Sequence, residues 1–175
     1  MPARTIILLI LISVSSGLVA KGIYQEPEAF IDEVYDGDPP SPEVIWLTRS
    51  VKETAKEILG HSPGALRVRF WGRDHRTAWI LEEIGKEQPI TVGLVVEHDR
   101  LKQVKVLVFR ESRGWEVRHP FFTDQFKDAG LDTSRELDKN IDGISGATLS
   151  VRALNKLARL ALYLHRQSAY ADDPP

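Results

Sequence analysis

The sequence contains no cysteine, and this absence excludes several kinds of site at once. Without thiols there is no disulfide framework, no thiolate zinc site, no cysteine-ligated iron–sulfur cluster, no C-x-x-C-H haem attachment and no thiol nucleophile. A redox role for this chain therefore requires a cofactor that is held in some other way.

A strong net charge is also absent. The 23 Lys and Arg residues and 25 Asp and Glu residues give a formal net charge of -2 at pH 7. Because this balance offers no basic surface for a polyanion, we expect no nucleic-acid partner. The 175 residues, 42 % of them hydrophobic, can bury one ordinary core and predict one main domain.

One long apolar run is present, close to the N-terminus. Arg4 precedes residues 6–20, which read I-I-L-L-I-L-I-S-V-S-S-G-L-V-A and carry no charge. The run is typical of an export signal, although a membrane span of about 20 residues is not far from its length. We therefore expect residues 1–20 to be a signal peptide or an uncleaved membrane anchor. The rest of the chain is expected outside the cytoplasm, in the periplasm or at the outer face of the cytoplasmic membrane.

The segments that follow differ in composition. Residues 21–40 are acidic and contain proline, which predicts a linker with a little structure around Phe30 to Tyr35. Ser41 and Pro42 are typical of the start of a helix, and apolar residues at helical spacing continue from there to Gly60. The pattern therefore predicts an amphipathic helix that begins at Pro42. We assign the main domain to residues 41–168 and a disordered tail to residues 169–175.

Four runs rich in β-branched and aromatic residues occupy the middle of the chain, at residues 65–71, 77–84, 90–96 and 101–109. Turn signals rather than helices separate these runs, so the pattern predicts an antiparallel meander. A loop with a short helix near residues 123–127 follows, and a final amphipathic helix begins at Val151. The predicted fold class is α+β, an antiparallel sheet packed against helices.

The segment at residues 142–150, D-G-I-S-G-A-T-L-S, lies directly before the last helix. Backbone N–H groups at a helix N-terminus lack partners there, and the helix dipole favours negative charge. Gly143 and Gly146 permit tight turns. The hydroxyl residues of the segment are Ser145, Thr148 and Ser150. Hydroxyls in this position can cap the helix, bind a phosphate or accept one covalently, and the residues alone leave these interpretations open.

The same segment resembles the flavinylation motif of the FMN-binding domain family, in which an acidic residue, two further positions and S/T-G-A-T mark the attachment of FMN. This family includes the C subunit of the sodium-pumping NADH:quinone reductase and the G subunit of the Rnf electron-transport complex. Residues 106–126, V-L-V-F-R-E-S-R-G-W-E-V-R-H-P-F-F-T-D-Q-F, are similar to a second feature of the family. In this feature of the family, a strand leads into an acidic residue, a hydroxyl residue and a glycine, and a Q-F segment follows. The resemblance covers about residues 90–164.

The resemblance implies that FMN is joined through a phosphodiester to the side-chain oxygen of Thr148. A magnesium-dependent flavin transferase that uses FAD would be the modifying enzyme, since the loop holds no histidine or lysine to activate the hydroxyl. The other cofactor-binding positions that it implies are Asp142, Ser145, Gly146, Ala147, Ser150, Glu111 and Gly114. Arg113 stands where many members of the family have proline. We expect no catalytic residue and no metal site.

The function expected on this basis is an electron-transfer carrier or a subunit of a membrane-associated redox system, rather than a stand-alone enzyme. Its redox partners would be proteins, expected to be membrane-bound, and residues 6–20 could attach the chain to the membrane. The alternative is a non-redox exported binding module in which the S-G-A-T loop only caps the last helix. A third interpretation is a flavin that is bound without a covalent bond.

Overall fold

A computed structural model describes residues 22–173, so the expected export or anchor segment at residues 1–20 lies outside the described residues. The helices are α1 (Pro27–Val34), α2 (Arg49–Leu59), α3 (Pro120–Thr123) and α4 (Thr148–Arg166), with 3-10 turns at Trp115–Arg118 and Asp124–Phe126. The strands are β1 (Glu43–Trp46), β2 (Arg67–Arg73), β3 (Arg76–Ile84), β4 (Pro89–Glu97) and β5 (Arg100–Phe109). Between residues 22 and 173, no helix is both long enough and apolar enough to cross a membrane.

The five strands form one sheet in the order β1-β2-β3-β4-β5, and each neighbouring pair is antiparallel. Strand order therefore equals chain order, which confirms the predicted meander and the α+β class. Short turns join β2 to β3, β3 to β4 and β4 to β5, so these turns lie alternately at the two ends of the sheet. This alternation separates the two regions of the molecule described below.

Both faces of the sheet are covered. The larger core lies on one face, where α2 and α4 pack against buried side chains that include Trp79 and Leu94. On the opposite face α1 buries Phe30 among side chains such as Leu107. A Cβ atom at Gly93 would lie 2.6 Å from the Phe30 ring, so only glycine leaves room for that ring. Cover on both faces explains why β4, and the end of β5 at residues 106–109, are nearly continuously apolar.

Two differences from the sequence-based prediction concern the first 40 described residues. Residues 27–34, expected in a linker with only a little structure around Phe30 to Tyr35, form the two-turn helix α1, because Phe30 and Ile31 give this acidic segment an apolar side that the sheet covers. The helix expected from Pro42 begins only at Arg49. Residues 43–46 pair instead with β2 as an edge strand, since their run of β-prone side chains completes the sheet. The helix ends before Gly60, which has a φ of +78°.

The C-terminal half also differs in detail. The short helix expected near residues 123–127 is α3 at residues 120–123 followed by a 3-10 turn, and α4 begins three residues earlier than Val151. Residues 169–173, expected in a disordered tail, lie against the protein. Ala171 is buried there, and the ring of Tyr170 occupies the space beside Gly72.

Candidate functional site

A tight turn brings the chain into α4. The N–H of Ala147 donates to the carbonyl of Ile144 at 3.0 Å, and Gly146 in this turn has a φ of +82°. That angle is typical of the third residue of a type II turn, where glycine is favoured. The turn makes Thr148 the first residue of α4 and leaves its side chain exposed, whereas Ser150 is buried.

The N-terminus of α4 has no side-chain cap. The capping position is occupied by Ala147, which has no hydrogen-bonding side chain, and no side-chain cap bond is formed. The N–H groups of the first turn therefore have no acceptor within the helix. Together with the helix dipole, they favour an anion beside Thr148.

The loop at residues 111–114 packs directly against this helix start. Gly114 has a φ of +83°, and a Cβ atom there would lie 2.6 Å from Oγ of Ser150 and 3.4 Å from Cβ of Ala147. Both the backbone conformation and the close contact thus require glycine. The two sequence features that support the family resemblance meet at this contact.

Glu111 fixes a third loop at the same place. Its Oε1 atom accepts hydrogen bonds of 2.5, 2.7 and 3.0 Å from the backbone N–H groups of Lys86, Glu87 and Gln88. Partial burial raises the pKa of the Glu111 carboxyl, but these three bonds outweigh it and hold the pKa below its usual value. The carboxylate therefore anchors the turn between β3 and β4.

An open cleft of about 550 Å³ lies between these three loops. It is lined by Lys86, residues 111–113 and residues 146–150. This volume falls within the range of about 300–1,000 Å³ that is usual for small-molecule sites. Lys86 and Arg113 bring positive charge to this lining, beside the carboxylate of Glu111, and Nζ of Lys86 lies 3.1 Å from Oε1 of Glu87. The arrangement suits a ligand that carries a phosphate.

The cleft brings together most of the predicted site residues. Those that line it are Glu111, Gly146, Ala147, Thr148 and Ser150. Gly114 lies immediately behind, against Ser150. The roles of all these residues in binding a cofactor stay predictions.

Asp142 and Ser145 do not line the cleft. Ser145 lies exposed in the turn before α4. The N–H of Asp142 donates to Oε1 of Gln125 at 2.7 Å, and its carboxylate accepts a 3.0 Å bond from Nδ2 of Asn140. Gln125 belongs to the Q-F segment of the family resemblance, so this segment holds the start of the loop in place.

Sequence reasoning missed the contribution of Lys86. In the sequence Lys86 belongs to G-K-E-Q-P, which indicates only a turn between two strands. Its place in the cleft depends on the hydrogen bonds to Glu111, which is 25 residues away in the chain. The signal that could have placed Lys86 is the position of Glu111. This acidic residue follows the last strand and, in an antiparallel meander, lies level with the Gly-Lys turn.

Aromatic side chains border the cleft on one side. An adjoining pocket of about 660 Å³ shares Glu111 and Ser112 with it and includes Tyr24 and Trp115. Trp115 is 44 % exposed, whereas Phe122 is fully buried in the core. Of these aromatics, Tyr24 and Trp115 line the adjoining pocket, and the guanidinium of Arg118 lies over both rings, 4.3 and 5.2 Å from their centroids.

Comparison with known proteins identified one family. Residues 85–163 match the model of the FMN-binding domain, which confirms the resemblance inferred from the two motifs. The matched range includes every residue that lines the cleft. The match supports a flavoprotein with FMN as its cofactor. No curated protein and no solved structure matched the chain.

Proposed function

With residues 85–163 matched to the FMN-binding domain, we propose that the protein carries FMN joined covalently to Thr148 and transfers electrons between partner proteins. The observation that carries this proposal is the position of the Thr148 hydroxyl. It is exposed at the wall of the cleft, on the first residue of α4, and the same cleft holds Lys86 and Arg113. Once bound, FMN supplies reversible electron exchange.

Attachment requires an external enzyme, because a threonine hydroxyl is a weak nucleophile unless an adjacent base activates it. A flavin transferase would present FAD to the exposed side chain. Oγ1 of Thr148 then forms a bond to the phosphorus of the FMN half, and the pyrophosphate P–O bond of FAD breaks. AMP leaves, and the hydroxyl proton is released. The exposure of Thr148 in this structure gives such an enzyme access.

The protein is suited to hold the product of this reaction. A phosphodiester on Thr148 carries one negative charge at the N-terminus of α4, where the helix dipole stabilises it by about 0.3 to 1 kcal/mol. Lys86 and Arg113 line the same cleft and add favourable charge. Trp115 borders the adjoining pocket and could pack against the planar ring of the cofactor.

The proposal includes partners and a location. The apolar run at residues 6–20 supports export, with the domain acting in the periplasm or at the outer face of the cytoplasmic membrane. Electrons would come from, and pass to, redox proteins bound to that membrane. In this role the protein is a carrier or a reductase subunit, and the flavin transferase is its modifying enzyme.

The competing interpretation, a binding module whose S-G-A-T loop only caps the last helix, lacks its main support. The capping position is Ala147, and the exposed Thr148 is the first residue inside the helix. Neither residue makes a side-chain cap in the structure. Side-chain capping of α4 by a hydroxyl of the loop is therefore not observed in the described structure.

The experiment that tests the proposal is production of the full chain together with a flavin transferase, followed by unfolding in guanidinium chloride and gel filtration. We expect the yellow colour to remain with the wild-type protein and to be lost in Thr148→Val. Release of the colour on unfolding would refute the covalent bond but keep FMN as a ligand. A colourless folded protein would favour the binding module. Bleaching by dithionite and return of the colour with an added electron acceptor would support the redox role.

A further inference from the structure

Three polar side chains that the flavin site does not use meet at the other end of the sheet. His75 lies in the turn between β2 and β3, His98 lies in the turn between β4 and β5, and Asp172 comes from the C-terminal segment. Lys86 follows the far end of β3, which spans nine residues. At about 3.3 Å per residue, the cluster and the cleft are separated by roughly 25 to 30 Å.

The three groups are close enough to share one ion. The Oδ1 atom of Asp172 lies 2.9 Å from Nδ1 of His98 and 3.1 Å from Nδ1 of His75. One ligand atom from each residue falls within 4.8 Å of the others, and the two imidazole rings stack with centroids 4.7 Å apart. Ligands bound tetrahedrally at 2.0 to 2.1 Å are about 3.3 Å apart, close to the two distances at Asp172. Because an imidazole binds a metal in its ring plane, the two stacked rings would have to turn toward each other to close this set around a cation.

The backbone holds both histidines in place. The N–H of His98 donates to the carbonyl of His75 at 3.1 Å, which ties the two turns together. In the second turn Asp99 points inward, with Oδ1 3.2 Å from Nε2 of the fully buried His165. His98 and Asp99 have φ values of +51° and +55°, in a region that residues other than glycine adopt rarely. In this turn His98 is exposed, and the carboxylate of its neighbour Asp99 lies toward His165.

Asp172 is positioned by the packing of the residues before it. A Cβ atom at Gly72 would lie 2.3 Å from the ring of Tyr170, so that ring packs directly onto β2. Ala171 is buried next to it. These contacts deliver the carboxylate of Asp172 to the two turns.

We propose that His75, His98 and Asp172 bind one divalent cation of the Zn²⁺ class, through two imidazole Nδ1 atoms and one carboxylate oxygen. Mixed nitrogen and oxygen ligands suit zinc and its transition-metal neighbours, whereas Mg²⁺ and Ca²⁺ prefer oxygen alone. Water completes the coordination on the exposed side. Sequence analysis gave no sign of this site because its ligands are 23 and 74 residues apart.

The ion would act as a clip rather than as part of the flavin chemistry. It joins two hairpin turns to the C-terminal segment, at a place far from Thr148. Without an ion, two imidazoles share one exposed carboxylate, and surface ion pairs of this kind contribute little to stability. Binding of zinc to the folded state alone would raise its stability in proportion to the logarithm of the free zinc concentration. If the cluster is a zinc site, the stability of the protein therefore rises with added zinc, whereas a simple surface ion pair predicts no such rise.

The test is calorimetric titration of Zn²⁺ into the full chain, produced without a histidine tag and freed of metal with EDTA. We expect one zinc ion per chain, no binding of Mg²⁺, and a higher melting temperature in zinc. His75→Ala, His98→Ala and Asp172→Asn should each weaken zinc binding more than about 100-fold, since loss of a ligand exceeds the 10- to 100-fold effect of losing a ligand's partner. His119→Ala is the matched control and should bind zinc as the wild type does.

A second measurement avoids dependence on the folding of the variants. In the ¹⁵N NMR spectrum of the wild-type protein, zinc should shift the Nδ1 signals of His75 and His98 and leave those of His119 in place. Equal zinc affinity in all four variants would overturn the proposal, as would the absence of zinc binding. Zinc-induced shifts confined to other histidines would also overturn it. Each of these results would be independent of the flavin on Thr148.

Discussion

Replacing Glu111 by alanine is expected to loosen the turn between β3 and β4 and to destabilise the protein. The Oε1 atom of Glu111 accepts three backbone N–H bonds from this turn, at 2.5 to 3.0 Å. Alanine removes the acceptor, so all three donors must turn to water. The same change frees Lys86, which the turn holds at the cleft.

The expected magnitude follows from the number of bonds and their exposure. A hydrogen bond to a charged group contributes about 1.5 to 3 kcal/mol, and three buried bonds of this kind would exceed about 4 kcal/mol. The turn residues are exposed, however, so water replaces part of what is lost. We therefore expect Glu111→Ala to lower the free energy of unfolding by about 2 kcal/mol at neutral pH. For a chain of this length that corresponds to a fall of roughly 4 to 8 °C in melting temperature.

The effect has a defined pH dependence. The folded-state pKa of Glu111 is below its usual value, because the three N–H bonds stabilise the carboxylate by more than burial destabilises it. The contribution of Glu111 to the free energy of unfolding is therefore fully present above about pH 4.5, which is the pKa of the group in the unfolded chain. This contribution is lost as the pH falls through the folded-state pKa. The stability difference between wild type and Glu111→Ala should be constant from pH 8 to pH 6 and shrink below pH 4.5.

Urea unfolding at several pH values measures this difference. Glu87→Ala is the matched control, because the Glu87 side chain is 68 % exposed and forms an ion pair with Lys86 in the same turn. The control should change stability by less than about 0.5 kcal/mol. The reasoning would be refuted if Glu111→Ala were as stable as this control, or if the difference did not decrease in acid.

Two further predictions concern other parts of the structure. Gly114→Ala should lower the free energy of unfolding in urea by about 2 to 3 kcal/mol, because it places a side chain at positive φ and against Ser150. Gly64→Ala is the control and should be nearly neutral, because a Cβ atom at Gly64 would have no neighbour within 4 Å. Equal effects of the two changes would contradict the packing argument. The hydrogen bond to Glu83 raises the pKa of His61, so the stability from this pair is present below pH 6.5 and is lost as the pH rises through the folded pKa. Glu83→Gln should lower the NMR-measured pKa of His61, and an unchanged value would count against the pairing.

The sheet could be predicted from the sequence because its signals are local. The runs at residues 77–84, 90–96 and 101–109 are bounded by turn residues, and strands joined in this way pair with their neighbours. The limits of β3, β4 and β5 accordingly fall within one residue of the prediction.

The first strand could not be predicted because two local signals compete. Pro42 and the apolar spacing after it are typical of a helix, and residues 43–46 also have β-prone side chains. Pairing with β2 decides between them, and that contact is not visible in a local pattern. Likewise, α1 is identified by where Phe30 packs, against a glycine 63 residues further along the chain.

The candidate site was predictable where a motif carries its own geometry. The glycines and hydroxyls of residues 142–150 indicated a tight turn into a helix N-terminus, and Gly146 and Thr148 lie as such a turn requires. Lys86 was not predictable in this way, since its position depends on the long-range bonds to Glu111. The capping interpretation was wrong in its assumption that a hydroxyl residue occupies the capping position, which is Ala147.

The central claim is that Thr148 carries FMN, and the most direct test is intact-mass spectrometry of the chain produced with a flavin transferase. Thr148→Val removes the hydroxyl with little change of shape, and Thr133→Val does the same at an exposed threonine outside the cleft. We predict that wild type and Thr133→Val gain the mass of FMN less one water and that Thr148→Val gains nothing. The claim would be contradicted if Thr148→Val gained the same mass. It would equally be contradicted if the folded wild type gained none beside a control substrate that the same transferase modifies.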